Sequence, residues 1–378
     1  MAKKVGIITL TGSDNCGSLL QAYALQEVLK KEVDSEIEII DFYSKEQKRL
    51  YGVLGFRITG FHTFFRALQL APWWRICYKQ RRDYEQFRKL YLNRTKKKYG
   101  SLQQLKKLED TYEIVVSGSD QVWNVNMYDF SEAFLLPWCQ GKKVAYAVSL
   151  GGIDPGSYYK NIDFFKTCIK EFQMISVREE KAAVDLEKLL EENVPVLADP
   201  TLLLDASEWK SLAEIPMVDA PYIFYYSYNY MDVNSNSFVK VAGEKYNLPV
   251  IIINALHWRR RDWKNYNFNM YEKSGPLAFL NLMRHAKYVI VESLHGIIFS
   301  TIFQKQFVFL QNKINGKSDT RCTSLLKLLK MEERGVNPQQ LDVFMLEKKI
   351  DYADNEELDL LKKRSVEFIK KIVDLIKE

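Results

Sequence analysis

The chain has 378 residues, of which 47% are hydrophobic and 27% are charged, and its formal net charge at pH 7 is +6. This composition is typical of a globular protein, and the length suffices for two domains of ordinary size. No stretch reaches the roughly 20 consecutive apolar residues that span a bilayer. The five cysteines lack the CxxC spacing of a zinc site or a disulfide framework. We therefore expect a cytoplasmic protein with no metal site and no secretory cleavage pattern.

The positive charge is concentrated in residues 45–98, which hold fifteen Lys and Arg against three acidic residues, a net charge of +12. Aromatic and cationic side chains are interleaved there, as in Trp73-Trp74-Arg75. Such a mixture suits the headgroup zone of an anionic membrane or single-stranded nucleic acid. It is equally typical of a helical insert whose cations face water. We expect a helical insert, with peripheral membrane contact as the alternative and no nucleic-acid partner.

In the N-terminal half, short apolar strands alternate with helices. Val5–Leu10 has the length of a strand, and apolar residues at helical spacing follow the turn Thr11–Gly17. Further strands are predicted at Ile37–Ile40, Ile114–Val116, Val144–Val148, Ile175–Val177 and Val196–Leu197. This alternation implies a parallel sheet covered on both faces. Residues 1–200 are therefore predicted to form a Rossmann-like domain that carries the helical insert at about 45–98.

The alternation restarts after Asp199-Pro200, since proline breaks the preceding element. Strands are predicted at Tyr222–Tyr226, Val250–Ile253, Tyr288–Val291 and Phe307–Leu310. We expect residues 201–378 to form a second Rossmann-like domain, ending in a helix at about 355–378. The fold class is therefore α/β, with two domains facing a cleft. Ligands of such sheets bind at the carboxyl ends of the strands.

A polar loop, Gly12-Ser-Asp-Asn-Cys-Gly17-Ser-Leu, joins the first strand to the first helix. Such a turn presents free backbone N–H groups and the positive end of the helix to an anion. It is neither a Walker A loop nor a GxGxxG fingerprint, so an NAD-dependent enzyme is disfavoured. The competing interpretation is that Asp14 or Ser18 only caps the helix.

Polar side chains also follow two later strands. In Val116–Asn124, Asp120 is a candidate to accept hydrogen bonds from sugar hydroxyls or to act as a base, and Trp123 is a candidate to stack on a sugar ring. An Asx turn beside a core tryptophan is the alternative, and for Trp123 alone it is favoured. Arg178 ends another strand, and its planar fork suits a carboxylate or a phosphate. An ion pair with one of the two glutamates that follow it is the competing interpretation.

The most pointed pattern is Val289-Ile-Val-Glu292-Ser-Leu-His295-Gly, in which an apolar strand ends in a carboxylate and a histidine opens an apolar helix. The imidazole and the first backbone N–H groups of the helix then point to one spot, which suits phosphate. Histidine can also transfer a proton near neutral pH. His285 is the other histidine nearby, so a multi-histidine metal centre is not expected. Three downstream cations either close over an anionic donor or face solvent: Lys313, Lys317 and Arg321.

In their order along the chain these motifs resemble the polysaccharide pyruvyl transferase family. The resemblance is carried by Asn15-x-Gly17 with Leu20–Gln26, Gly118–Asn124, Tyr146-Ala, Ser176–Glu179, Asp199–Leu203 and Ser293–Gly296. It implies a two-domain fold like that of GT-B glycosyltransferases, phosphoenolpyruvate as co-substrate without a cofactor, and a bacterial surface polysaccharide as product. Glu292 and Leu294 stand where the family often has Asp and Phe, and Cys16 occupies a position that is commonly aromatic.

The resemblance implies that Arg178 and His295 contact the donor. We assign His295 to phosphate binding and to general acid catalysis, and Asp120 or Glu292 to the base that activates the acceptor. The predicted catalytic residues are His295, Arg178, Asp120 and Glu292. The predicted donor-binding residues are Arg178, Ser293, Leu294, His295, Gly296, Lys313, Lys317 and Arg321. The predicted acceptor-binding residues are Asp14, Asn15, Gly17, Gln21, Asp120 and Trp123.

The acceptor is expected to be a saccharide, either free or lipid-linked at the inner face of the membrane. Two other classes of function stay open. A glycosyltransferase of the same architecture would bind a nucleotide sugar, because fold alone does not separate the two activities. A non-enzymatic protein that docks through residues 45–98 would bind a membrane or a nucleic acid with a steep salt dependence.

Overall fold

The computed structural model describes residues 4–33, 35–50, 61–228, 232–258, 263–311 and 319–377. The strands are β1 (Lys4–Ile8), β2 (Glu36–Ile39), β3 (Ile114–Asp120), β4 (Lys142–Val148), β5 (Met174–Val177), β6 (Ile223–Tyr226), β7 (Val250–Ile252), β8 (Phe268–Met270), β9 (Tyr288–Val291), β10 (Phe307–Leu310) and β11 (Gly335–Val336). The helices are α1 (Cys16–Glu32), α2 (Lys45–Leu50), α3 (Phe61–Tyr91), α4 (Leu102–Leu105), α5 (Pro155–Tyr158), α6 (Ile162–Ile169), α7 (Glu180–Leu190), α8 (Ala206–Ser211), α9 (Val233–Tyr246), α10 (Ala255–Trp258), α11 (Gly275–His285), α12 (Leu294–Ile302), α13 (Thr320–Leu328) and α14 (Glu356–Lys377).

The chain forms two compact units. The first unit comprises residues 1–52, 88–204 and 357–378, and the second comprises residues 53–87 and 205–356. No helix in the part of the chain that the structure describes combines the length and the apolar character needed to cross a membrane.

The first unit contains a parallel sheet with the strand order β2-β1-β3-β4-β5. Every residue of the central strand β3 is buried, as expected for a strand covered on both faces. The predicted strand stopped at Val116, where the apolar run ends. The observed strand continues through four small or polar residues to Asp120, because protein groups satisfy them, as when Ser117 Oγ donates to Phe134 O at 2.7 Å. The predicted strand Val196–Leu197 is only an isolated bridge, in which Val196 pairs with Val177.

The second unit contains a parallel sheet with the order β11-β10-β9-β6-β7-β8. The central strands β6 and β9 are apolar and almost wholly buried. The sequence pattern missed the two edge strands, β8 and β11, which have three and two residues and are too short to show a periodicity. The carboxyl ends of β6, β7 and β9 lie side by side, which is where a ligand site of this fold is expected.

The predicted division placed the terminal helix at 355–378 in the second domain, and this part of the prediction was wrong. Helix α14 belongs to the first unit, where Ser365 Oγ accepts a hydrogen bond from Ala198 N at 2.9 Å. The Phe368 ring lies 6.1 Å from the Tyr146 ring. The helical period identifies the apolar face of α14 but not the surface that covers it.

The predicted insert at about 45–98 is also divided between the units. Much of it is helix α3, and residues 53–87 belong to the second unit. There Tyr84 OH donates to Asn254 Oδ1 at 2.6 Å, and Gln80 Nε2 donates to Tyr271 O at 2.8 Å. Most of the described residues of the segment are therefore helical, as expected, and residues 61–87 pack within the second unit, whereas residues 88–98 belong to the first.

Candidate active site

Asp120 lies at the carboxyl end of β3 in the first unit. Its φ of 72° is in the left-handed region that non-glycine residues rarely adopt, which marks a position where the surroundings hold a strained backbone. Its carboxylate accepts hydrogen bonds from Ser18 Oγ at 2.6 Å and from the backbone N–H of Gln121 at 2.9 Å. Ser18 stands in the first turn of α1, so the carboxylate lies beside the start of that helix.

Arg178, at the end of β5, is surrounded by carboxylates. Its Nη1 lies 2.7 Å from Asp199 Oδ2 and its Nε lies 3.0 Å from Glu179 Oε1. Burial opposes the charge of the guanidinium, but these two carboxylates and that of Asp120 raise its pKa above the usual range. The ion pair with Glu179 confirms the structural interpretation of Arg178. Direct contact with a donor stays a prediction.

Arg88 fastens the loop between β1 and α1. Its guanidinium donates to Thr11 O at 2.8 Å and to Ser13 O at 2.6 Å, and it pairs with Asp14 Oδ1 at 2.8 Å. Arg88 is 2% exposed, so the pair is buried. The sequence carries no sign of this role, because Arg88 is one of the fifteen cations of the basic segment 45–98.

The remaining predicted acceptor residues of this loop have structural partners of their own. Asn15 is the N-cap of α1, and its side chain accepts from Ser18 N at 3.2 Å. Gly17 is buried in the first turn of α1. Gln21 is buried and donates to Thr9 Oγ1 and to Ser18 O, each at 2.9 Å. The loop is therefore held in one conformation from both sides, which is a condition for a preorganised binding site.

The structure places Trp123 in the core of the first unit, contrary to the prediction that it stacks on a sugar ring. Its indole is fully buried, and Nε1 donates to Phe134 O at 3.2 Å. The ring packs edge-on against Phe165 and Phe172, with centroids 5.9 and 5.4 Å away. The core interpretation is correct, because a buried aromatic ring contributes through burial and edge-to-face contacts.

Glu292 lies directly after β9 in the second unit, inside a group of hydroxyls. Tyr225 OH donates to Oε1 at 2.9 Å, and Ser227 Oγ donates to Oε2 at 2.7 Å. Burial raises the pKa of the Glu292 carboxyl to about 7, although the hydroxyls of Ser227, Ser235 and Tyr225 favour its charged form. The nearby charge of Asp232 also raises this pKa.

The predicted helix start after β9 is present. Ser293 is the N-cap of α12, and its Oγ accepts from Gly296 N at 3.1 Å. A Cβ atom on Gly296 would lie 2.7 Å from Val291 Cβ, so only glycine permits this close approach of helix and strand. Leu294 is buried, whereas His295, in the first turn of the helix, is partly exposed although its Nε2 is buried. The turn thus presents an imidazole beside backbone N–H groups at the positive helix end.

Of the three cations predicted to bind the donor downstream of β10, the structure describes one, Arg321. Lys313 and Lys317 lie outside the described residues. Arg321 is in the first turn of α13, and its Nη2 lies 2.6 Å from Asp319 Oδ2. Its guanidinium is therefore already paired with a carboxylate of its own loop.

Polar and aromatic residues that were not predicted for the site follow β6 and β7. Tyr228 contacts Tyr226 through the two hydroxyls, with ring centroids 5.3 Å apart, and its ring lies 5.6 Å from that of His257. The run Tyr225-Tyr-Ser-Tyr228 at the end of a buried strand was the available signal, and it was used only to predict the strand. Across the described ranges, no group of three or more His, Cys, Asp or Glu side chains is arranged to hold a metal ion.

Comparison with known proteins gave one family and one fold. The family model described as polysaccharide pyruvyl transferase matches residues 15–314. No curated protein matches the chain. The UDP-GlcNAc 2-epimerase of Methanocaldococcus jannaschii, in complex with UDP-GlcNAc and UDP, is similar with 13% identity and a TM-score of 0.55, over 96% of this chain and 99% of that chain.

Two other solved structures are similar over nearly their whole length. The UDP-N-acetylglucosamine 2-epimerase from Rickettsia bellii has 11% identity and a TM-score of 0.54, over 99% of this chain and 98% of that chain. The UDP-GlcNAc 2-epimerase from Neisseria meningitidis, bound to UDP-GlcNAc, has 13% identity and a TM-score of 0.52, over 98% and 100%. At such identities the likeness shows the fold alone. It confirms the predicted GT-B-like class with two parallel-sheet α/β domains.

Proposed function

Because the chain belongs to the polysaccharide pyruvyl transferase family, we propose that it transfers the pyruvyl group of phosphoenolpyruvate to a pair of hydroxyls on a saccharide. The products are a pyruvate ketal and phosphate. The observation that carries this proposal is the matched segment Ser293–Gly296, where α12 is capped by Ser293 and carries His295 in its first turn, directly after the carboxyl end of β9. This arrangement suits a phosphate-bearing donor and needs no metal ion.

On the donor side, His295 and the first N–H groups of α12 bind the phosphate. Gly296 supports this role indirectly, since its lack of a side chain lets the helix start approach the end of β9. Lys313, Lys317 and Arg321, which follow β10 in the sequence, supply further positive charge once the donor is bound. When the donor binds, Arg321 leaves its ion pair with Asp319 and pairs with the donor instead, because the donor is also an anion.

On the acceptor side, the saccharide binds at the β1–α1 loop and beside Asp120. Asp120 accepts the proton of the attacking hydroxyl, because its carboxylate is oriented by Ser18 and Gln121. Arg178 donates hydrogen bonds to Asp199 and Glu179. It interacts with the Asp120 carboxylate only through the electrostatic attraction of its positive charge. It is thus a positioning residue for the acceptor side in addition to its predicted contact with the donor.

We assign the reaction to the cytoplasm, with a lipid-linked saccharide as one form of the acceptor. The exposed side chains of α3 support contact with an anionic membrane, since Arg75, Tyr78 and Arg82 mix cations with an aromatic ring. Cosedimentation with phosphatidylglycerol vesicles tests this contact. Binding should fall when Arg75 and Arg82 are both changed to Glu, and equal binding to neutral phosphatidylcholine vesicles would contradict it.

Calorimetric titration with phosphoenolpyruvate, with UDP-GlcNAc as the comparison, tests the donor. We expect phosphoenolpyruvate to bind and His295→Ala to weaken it at least tenfold, which is about 1.4 kcal/mol. His285→Ala is the matched control, because the His285 ring contacts a backbone carbonyl, Ala213 O, in the second unit. Binding of UDP-GlcNAc in place of phosphoenolpyruvate would make the protein a nucleotide-sugar enzyme and refute the proposal.

A further inference from the structure

Among the described residues, hydroxyl groups rather than cations hold the carboxyl group of Glu292. Its Oε1 accepts a hydrogen bond from Tyr225 OH at 2.9 Å, and its Oε2 accepts one from Ser227 Oγ at 2.7 Å. Burial and the charge of Glu292 raise the pKa of Tyr225 well above its ordinary value, so this phenol remains a donor. Two fixed donors leave the carboxyl group in one orientation at the end of β9.

Among the described residues, the one charged group that acts on Glu292 favours its protonated form. Asp232, the N-cap of α9, contributes a negative charge, and Ser235 in the same helix contributes a neutral hydroxyl. Tyr225 on β6 is neutral. Among the residues that the structure describes, no Lys or Arg forms an ion pair with Glu292. A partly buried carboxyl group with this surrounding resembles carboxylic acids that enzymes keep protonated near neutral pH.

We propose that Glu292 is a catalytic residue that delivers the proton to the methylene carbon of the donor. The inference rests on the proposed function, since it concerns the same site. It changes the assignment made from the sequence, in which His295 was the general acid and Glu292 a candidate base. His295 then serves phosphate binding, and Glu292, three residues earlier, serves proton transfer.

The step balances without a further reactant. The O–H bond of Glu292 breaks, the π electrons of the enol form the C–H bond, and the neighbouring carbon becomes electrophilic. A saccharide hydroxyl adds to that carbon and loses its proton, the carbon–oxygen bond to phosphate breaks, and the second hydroxyl adds and loses its proton. Of the two hydroxyl protons released, one restores Glu292 and the other leaves on phosphate.

The first test is Glu292→Gln, which keeps the shape and removes the acid. Turnover should fall by about 100-fold or more, the range expected for loss of a general acid, while the affinity for phosphoenolpyruvate stays within about threefold. Glu214→Gln, an exposed glutamate of the same unit, should leave both unchanged. Full turnover in Glu292→Gln would overturn the inference, and so would loss of donor binding without loss of turnover at saturation.

The second test uses two neighbours that shift the acidity of Glu292 in opposite directions. Ser227→Ala removes a hydrogen bond to the charged form, so the alkaline limb of the kcat/KM profile should move to higher pH by about half a unit or more. Asp232→Asn removes a negative charge while keeping a good helix cap, so the same limb should move to lower pH. A merely structural role predicts no such pair of opposite shifts, and two shifts of the same sign would overturn the assignment.

Failure of the inference and failure of the proposed function give different results. A wild-type enzyme that consumes phosphoenolpyruvate, together with an equally active Glu292→Gln, refutes only the role of Glu292. A wild-type protein that neither binds nor consumes phosphoenolpyruvate refutes the proposed function, and the inference falls with it.

Discussion

Replacing Arg88 by Met should be among the most destabilising single changes in the first unit. Arg88 is buried and provides hydrogen bonds to two backbone carbonyls, Thr11 O and Ser13 O, and an ion pair to Asp14. Methionine keeps much of the volume, so the loss is mainly electrostatic. Removing one partner of a buried pair typically costs about 3–5 kcal/mol, because the other charge is left uncompensated. We expect the free energy of unfolding to fall by an amount in this range.

Urea unfolding measures the total effect, and hydrogen exchange of the α1 peptides shows whether it is local to the first unit. Asp14→Asn should be less harmful, and the double variant should lose less than the sum of the two single losses, since it no longer contains the stranded carboxylate. Lys89→Met, at the exposed neighbouring position, is the control and should stay within about 0.5 kcal/mol. A loss below about 1 kcal/mol in Arg88→Met would refute the claim that this pair holds the loop.

Three further predictions concern the candidate site. Gly296→Ala should lower the free energy of unfolding by about 1–3 kcal/mol and weaken donor binding, because the new Cβ would lie 2.7 Å from Val291 Cβ; urea unfolding and calorimetry measure the two effects. Trp123→Phe should reduce stability but leave the KM for the acceptor unchanged, and a raised KM would restore the sugar-stacking role. Glu292 binds a proton more tightly in the folded than in the unfolded chain, so between about pH 4.5 and 7 its contribution should fall as the pH rises, by about 1–3 kcal/mol in total. Urea unfolding of wild type and Glu292→Gln across this range should show the difference, and parallel curves would contradict the pKa shift.

The sequence was sufficient for elements whose pattern is local. A continuous apolar run followed by a polar residue identified β3 and β9, and the parallel arrangement then placed Asp120 and Glu292 at carboxyl ends of strands. The helix after β9 was predicted for the same reason, since an apolar run of helical length follows the polar residues; it begins at Leu294, one residue before the predicted start at His295.

The partners of buried charges could not be predicted in this way. Arg178 pairs with Asp199, which is 21 residues away, and Arg88 pairs with Asp14 across 74 residues. The composition of a segment does not distinguish a buried arginine from a solvated one. Arg88 was therefore indistinguishable from the surface cations around it. The hydroxyls around Glu292 were missed because they come from elsewhere in the chain: Tyr225 lies on β6, which pairs with β9 in the sheet, Ser227 follows that strand, and Ser235 is in α9.

Each unit is built from separate stretches of the chain, and this constrains the order in which the protein can fold. The first unit is assembled from three separate stretches and closes only with residues 357–378, after the whole second unit has been specified. During synthesis the ribosome therefore releases β1 to β5 long before the helix that covers part of them. A nascent chain that ends at Leu204 would expose to water and to chaperones the apolar surface that α14 covers in the first unit. Expressing either unit as a continuous fragment should accordingly give an incomplete core, and supplying α14 as a separate peptide is the natural way to complete the first one.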